Sequence, residues 1–250
     1  MAKDDGKDDE LPRTIEALWD LRERVQRKPR PGLSLERIVE AAIESADTEG
    51  LGALSMARVA KRLDSATMSL YRHVASKDEL QALMVDVAYG RPPELGRDIS
   101  WRAGLEQWAR AFLEVFRSHP WMLHVTISGP PLEPGQLTWL ECGLGVLAGT
   151  GLRPDEKLSV ILAMIGYVRS TAQLALAAPT DAGDDAELTA DYGRALAKFI
   201  DAEAFPALTE LVEAGIFDKE PTDEFTFGLE RVLDGIEVLI RKDENPLGLG

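Results

Sequence analysis

The sequence predicts an all-α protein with a small basic module joined to a larger acidic helical body. Three observations carry this. Apolar residues recur at helical spacing in nearly every segment, and no period-2 alternation competes with them. Ser, Pro and Gly punctuate the chain where helices should start and stop. Charge is unevenly spread over the 250 residues. The net charge is −15, yet residues 24–77 hold ten lysines and arginines against six acids. That is an excess of four positive charges, which leaves nineteen negative charges on the remainder. A basic module on an acidic body still attracts phosphates locally, because charges beyond a Debye length are screened.

Taken in order, residues 1–10 are charged and nearly free of apolar side chains, and read as disordered. Residues 11–25 can form a short helix through Ile15, Leu18, Trp19 and Leu21, either docked on a neighbour or mobile. Residues 24–31, RVQRKPRP, form a basic, Pro-containing arm. Such arms reach into a minor groove in some DNA-binding proteins, or serve as plain linkers. Leu35, Ile38, Val39, Ala42, Ile43 and Ala46 then make one apolar stripe, with Ser34 as its N-cap.

The stretch Ser55–Lys77 is the most informative. It reads as a short helix anchored by Val59, Ala60 and Leu63, a tight turn, and a second helix of about two turns anchored by Leu70 and Val74. Those two anchors are four apart and share a face. The remaining face offers Thr67, Met68, Ser69, Tyr71 and Arg72. A helix this short is not stable alone, so its anchors must pack it down. Periodicity alone fits either a hairpin in an ordinary bundle or a helix-turn-helix, whose second helix enters the DNA major groove. Ser76-Lys77-Asp78-Glu79 is a capping box opening the next helix, to about Tyr89. Lys77 falls in its first turn, where free backbone N–H groups favour a phosphate.

LERIVEAAIESADTEGLGALSMARVAKRLDSATMSLYRHVASKDEL, from Leu35, resembles the DNA-binding domain of the tetracycline-repressor (TetR) family of transcriptional regulators. The portion Leu70–Val74 with Ser76 and Lys77 is the most specific. The family often has Gly at the turn where this chain has Asp64, a residue that tolerates the left-handed conformation better than most. The resemblance implies base contacts from Thr67, Met68, Ser69, Tyr71 and Arg72, and phosphate contacts from Ser55, His73 and Lys77. It also implies a palindromic double-stranded operator bound by a homodimer, with recognition helices about 34–36 Å apart.

Beyond the break at Gly90-Arg91-Pro92-Pro93 the chain reads as helices only: 101–118, a short piece at 119–121, 136–149, 154–178, 188–202, 205–214 and 223–241. Loops are expected at 128–135 and 179–187. The division is therefore an N-terminal extension and arm (1–33), a helix-turn-helix domain (34–90) and a C-terminal ligand-binding and dimerisation domain (91–250). Residues 158–178 and 225–240 are apolar on more than one stripe, so each must be covered on two sides. A second copy or the protomer's own core would do this. FTFGLERVLDGIEVLI resembles the closing, dimerising helix of the tetracycline-repressor-type C-terminal domain.

Enzyme chemistry finds little support. The three histidines are His73, His119 and His124; the last two, five apart, do not stack on one helix face. There is no phosphate-cradling Gly loop, nucleophile elbow or metal-ligand spacing, so no cofactor or metal is expected. The single Cys142 excludes an internal disulfide. No run of 18 apolar residues suggests a membrane span, and the polar N-terminus argues against a secretory signal; a cytoplasmic protein is expected. Trp101, Trp108, Phe112, Trp121 and Trp139 concentrate large aromatics in the middle of the chain, as core or as a small-molecule pocket. By the resemblance, Trp108, Phe112, Thr126, Pro131 and Cys142, with Trp139 beside them, line an effector pocket. In tetracycline-binding members a histidine ligates the drug-bound metal. That place falls at Thr126, not His124, which argues against tetracycline–magnesium recognition. The expected function is a sequence-specific repressor released by a small molecule; the alternative is a ligand-binding α bundle or an enzyme without DNA binding.

Overall fold

A computed structural model describes residues 15–16, 18–20, 32–125, 132–177, 185–218 and 223–244. Ten α-helices follow the first few residues: α1 (Leu35–Glu49), α2 (Met56–Arg62), α3 (Thr67–Leu70), α4 (Lys77–Ala88), α5 (Trp101–Ser118), α6 (Pro134–Val146), α7 (Pro154–Ala177), α8 (Asp185–Phe199), α9 (Pro206–Glu213) and α10 (Glu224–Glu244). Three 3₁₀ turns, Leu51–Ala53, Pro120–His124 and Ile216–Asp218, complete the set, and no strand occurs among the described residues. The basic arm and residues 1–10 lie outside the described residues.

The sequence sets the starts of α1, α2, α4 and α5 through one device. Ser34, Ser55, Ser76 and Ser100 each take an extended backbone and accept a hydrogen bond from the N–H three residues on. Gly50 ends α1 with φ 79°, in the left-handed region that a side chain would strain, and its N–H reaches Ala46 O at 2.9 Å. The capping box expected at Ser76 is present in altered form. Ser76 Oγ accepts from Glu79 N at 3.0 Å, and the Glu79 carboxylate turns back to Ala75 N at 2.5 Å.

The DNA-binding half is a small bundle. α1 packs on α4 and α2, and α2 packs on α3. Its interior consists of Ile38, Val39, Ala42, Leu54, Val59, Leu70, Val74, Leu80, Leu83 and Met84, all nearly inaccessible. The other half is built around α5, which packs on α6 and α7, with α10 closing against α7. Tyr167 of α7 donates to Phe225 O of α10 at 2.7 Å, and Arg102 of α5 is paired with Asp234 of α10 at 2.7 Å. α8, α9 and the 216–218 turn pack chiefly on one another. Helical residues 15–16 and 18–20 dock rather than hang free: Ile15 and Leu18 are buried, and Trp19 Nε1 donates to Leu132 O at 3.3 Å.

Several boundaries differ from the sequence expectation. α6 begins at Pro134, inside the expected loop, because proline suits the first helical position, where no N–H is needed. Residues 185–187 belong to α8 rather than to an acidic loop. The leucines of α6 are buried unevenly, and Leu147, its C-cap, is the inaccessible one. Leu137, Leu140 and Leu144 are half-buried, while Pro134, Gly135, Trp139 and Gly143 face inward. Small residues let the helix approach its neighbours closely: a Cβ on Gly143 would stand 2.9 Å from Ile161 Cδ1.

Candidate nucleic-acid interface and effector region

The α2–turn–α3 unit is held by local bonds and a few apolar anchors. Asp64 takes the left-handed conformation, φ 49°, and is the only described residue other than glycine to do so. Ser65 N then reaches back to Ala60 O at 2.9 Å, which closes the turn. The expected two-turn recognition helix is shorter in α form, Thr67–Leu70. After Tyr71 N bonds Thr67 O, residues 72 and 73 continue it in tighter i→i−3 bonds, His73 N to Leu70 O at 2.8 Å among them, and Val74 N returns to Leu70 O at 3.0 Å. Leu70 and Val74 are both buried, so this turn is fastened at its two ends.

What the anchors leave outside is the expected contact set. Met68 is 72% and Tyr71 45% exposed, unusual for side chains of their size. Arg72, His73 and Lys77 are exposed; Thr67, Ser69 and Ser55 are half-buried on the same module. Its cations divide into two groups. Arg58 is paired with Glu49 at 2.6 Å and Arg62 with Glu44 at 3.1 Å, so α2 spends two charges on α1. Among the described residues Arg72 and Lys77 form no ion pair. Arg37 and Lys61 are likewise outside any ion pair among the described residues, so positive charge available to an external anion lies on α1 and α2 as well as at α3 and the start of α4. Ser55 Oγ accepts from Arg58 N at 3.3 Å as the α2 cap, which leaves its hydroxyl hydrogen for another acceptor.

In the other half, Trp108, Phe112 and Trp139 form one buried aromatic cluster. Ring centroids lie 5.1 Å apart for Trp108–Phe112, 5.0 Å for Phe112–Trp139 and 5.8 Å for Trp108–Trp139. Both indoles have partners: Trp108 donates to Trp139 O at 3.1 Å, and Trp139 donates to Tyr89 O at 2.8 Å. Burial, the leading cause, pushes the Tyr89 phenol above its ordinary pKa. Cys142 is half-buried, its thiol 3.9 Å from Pro93 O, and burial likewise raises its pKa. Thr126 and Pro131 lie outside the described residues. Trp121 is buried elsewhere, against α1, and Trp101 is half-buried.

Contacts between the two halves were invisible in the sequence, because their partners lie far apart in the chain. Asp86 of α4, buried, accepts from Gly135 N at the start of α6 at 2.6 Å, where the helix N-terminus favours a carboxylate. A Cβ on Gly135 would stand 2.5 Å from Asp86 O, so only glycine permits this approach. Asp47 of α1 bonds His119 and Trp121 at the end of α5. A Pro-Gly pair before an apolar helix was the one available signal for the first contact. The second had none.

Two exposed apolar strips run along the larger half. α7 presents Leu158, Leu162, Leu174 and Leu176, and α10 presents Phe227 and Val238, opposite its buried Phe225, Leu229, Leu233, Ile236 and Ile240. α7 is long and apolar enough to cross a membrane by length and composition. A core or interface helix reaches the same length and composition. Only 28% of the stretch is buried within one chain.

Known proteins place this architecture. Residues 38–83 match the model of "Bacterial regulatory proteins, tetR family", and residues 92–240 match "Tetracyclin repressor-like, C-terminal domain". The chain is 41% identical over 238 residues to the HTH-type transcriptional repressor DrrR1 of Streptomyces coeruleorubidus, covering 92% of this chain and 87% of the relative. It is 32% identical over 155 residues to an HTH-type transcriptional regulator of Saccharopolyspora erythraea, covering 61% of this chain and 64% of that one. Among solved structures, the Streptomyces coelicolor TetR family protein ActR in complex with (S)-DNPA superposes with TM-score 0.69 at 27% identity, over 84% of this chain and 99% of ActR. ActR in complex with actinorhodin gives 0.69 at 28%, over 83% and 97%. The chain belongs to the tetR family of bacterial regulatory proteins, and it is a DNA-binding helix-turn-helix transcriptional regulator, not an enzyme.

Proposed function

We propose that this regulator is a cytoplasmic homodimeric repressor that leaves its operator when a small organic molecule occupies the C-terminal domain. The observation that carries the DNA half is the exposed, locally fastened 67–73 turn, with Arg72 and Lys77 free of ion pairs among the described residues. Thr67, Met68, Ser69, Tyr71 and Arg72 face base edges, with Arg72 suited to a bidentate contact on guanine. Ser55, His73 and Lys77 hold phosphates, Lys77 from the first turn of α4. Residues 34–90 are the DNA-binding module and 91–250 the effector and dimerisation module.

The exposed strips of α7 and α10 support a four-helix contact between two copies. An apolar face of that length stays out of water only when something covers it. ActR carries actinorhodin in one structure and (S)-DNPA in another. By analogy we assign the effector of this chain to aromatic small molecules that lie against the Trp108, Phe112 and Trp139 cluster, beside Cys142. A ligand favouring a different separation of the two recognition elements weakens operator binding by population shift.

The test begins with selection of a site from randomised duplexes, followed by a salt titration with and without actinorhodin as the probe. A selected palindrome whose affinity falls steeply with salt supports the DNA half. Release by the probe that disappears in Trp139→Ala supports the effector half. Failure to select any site overturns the operator assignment.

A further inference from the structure

We infer that Asp47, His119 and Trp121 form a polar joint that sets the orientation of the DNA-binding module on the effector module, with Asp47 as its positioning residue. Asp47 lies in the last turn of α1. Its Oδ1 accepts from Trp121 Nε1 at 2.7 Å and lies 2.8 Å from His119 Nδ1. Bonds to an ionised acceptor are short and roughly twice as strong as neutral ones. Two on one oxygen fix the direction of the carboxylate as well as its distance.

The other side of the joint is equally held. Trp121 is buried, and its 120–124 turn is pinned to α7, because Arg169 donates from Nη2 to Leu123 O and to Val125 O, each at 3.2 Å. The same guanidinium lies 5.8 Å from the Phe116 ring. A continuous set of contacts thus runs from α7, which carries one of the dimer strips, through the 120–124 turn to α1. It is separate from the Asp86–Gly135 contact, which joins α4 to α6.

Packing explains why the polar bonds matter here. Beside them the two modules are parted by a cleft of about 390 Å³, between Ala46, Asp47 and Leu51 on one side and Pro120, His124 and Leu176 on the other. The modules close on each other elsewhere, where Tyr89 at the end of α4 stacks on Phe112 of α5 with ring centroids 5.9 Å apart, but along this cleft no apolar contact fixes the end of α1. The carboxylate bridge fixes it instead. Loss of the bridge leaves the shared core intact and frees the end of α1 to rock against the 120–124 turn.

This inference rests on the dimer reading, and the experiment separates the two. Cys142→Ser removes the single thiol, and Lys61→Cys on the exposed outer side of α2 then carries a nitroxide. Pulsed electron resonance reads the distance between the labels of two protomers. The expected result is a narrow distribution in the parent and at least a doubling of its width in Asp47→Ala. Asp47→Asn, which keeps the accepting oxygen, restores the narrow form. Trp121→Phe and His119→Ala each broaden it in part. A distribution as narrow in Asp47→Ala as in the parent overturns the joint, and so does an Asn variant as broad as Ala. Absence of any label–label distance in the parent rejects the dimer instead. The joint is then judged within one chain by amide exchange at residues 46–50 and 119–124. This should rise at least tenfold in Asp47→Ala and return in Asp47→Asn; unchanged exchange overturns the joint.

Discussion

The two halves of the molecule treat their large side chains in opposite ways. In the DNA-binding half, Leu, Ile, Val, Ala and Met fill the core, and the largest side chains of its recognition turn, Met68, Tyr71 and Arg72, stand in solvent. In the effector half the aromatic rings are inside, stacked on one another, and what stands in solvent is a strip of leucines with Phe227 and Val238. Surface side chains that a monomer has no use for mark where a partner sits. On one half they are polar and cationic and suit a nucleic acid; on the other they are apolar and suit a second helix pair. Substitutions on either side should therefore separate binding from folding in the first half and association from folding in the second.

The largest separation is expected at Arg72. A bidentate contact to guanine is worth about 1–3 kcal/mol, and a palindrome uses two copies. Arg72→Ala should weaken the selected operator by at least roughly thirtyfold in a fluorescence-anisotropy titration while leaving the dimer and the thermal transition unchanged. An unfolded or monomeric variant would show that Arg72 belongs to the structure and not to the interface. The opposite case is Trp108→Ala. Loss of a fully buried tryptophan costs about 3–5 kcal/mol, and here it also leaves Trp139 O without its donor. Denaturant unfolding should show that full loss, largely before any question of operator binding arises.

Association comes next. Leu174→Glu with Phe227→Glu places charges on strips that are 71% and 64% exposed in one chain at those residues. If a second copy covers them, burial of the carboxylates opposes assembly, and the dimer dissociation constant should rise at least tenfold in sedimentation equilibrium. The unfolding transition measured at protein concentrations below that constant should stay where it is. Equal loss of folding would place these residues in a core.

The helix-turn-helix half was the more legible in sequence because its determinants are local. Ser34, Ser55 and Ser76 cap the helices they precede, Asp64 supplies the one special backbone conformation, and Leu70 and Val74 fasten the recognition turn. Each acts within about five residues of its partner, so spacing reveals it. The effector half hid more. In α6 the closest approaches are made by Gly135, Trp139 and Gly143, beside the half-buried Leu140 and Leu144 that also pack on the core. Glycine carries no hydrophobic signal, and its role is visible only once the opposing atoms are known. The contacts of Asp47 with His119 and Trp121 span more than seventy positions and use residue types that occur anywhere. Nothing in a single sequence marks such a pair.

The smallest effects offer the sharpest contrast, because two neighbouring residues should fail in different ways. Ser76 and Lys77 stand side by side at the start of α4. Ser76 Oγ satisfies Glu79 N, and replacement of such a cap by alanine costs about 1 kcal/mol. Lys77 is exposed, and its ammonium has no acid partner among the described residues. Ser76→Ala should therefore lower the denaturation midpoint and leave the salt dependence of operator binding as it was. Lys77→Ala should leave stability within about 0.5 kcal/mol. It should also reduce the slope of log affinity against log salt by about one for each phosphate left without its lysine, or about two per dimer. Should Lys77→Ala leave that slope unchanged, the start of α4 lies off the phosphate backbone, and the interface narrows to the recognition turn itself.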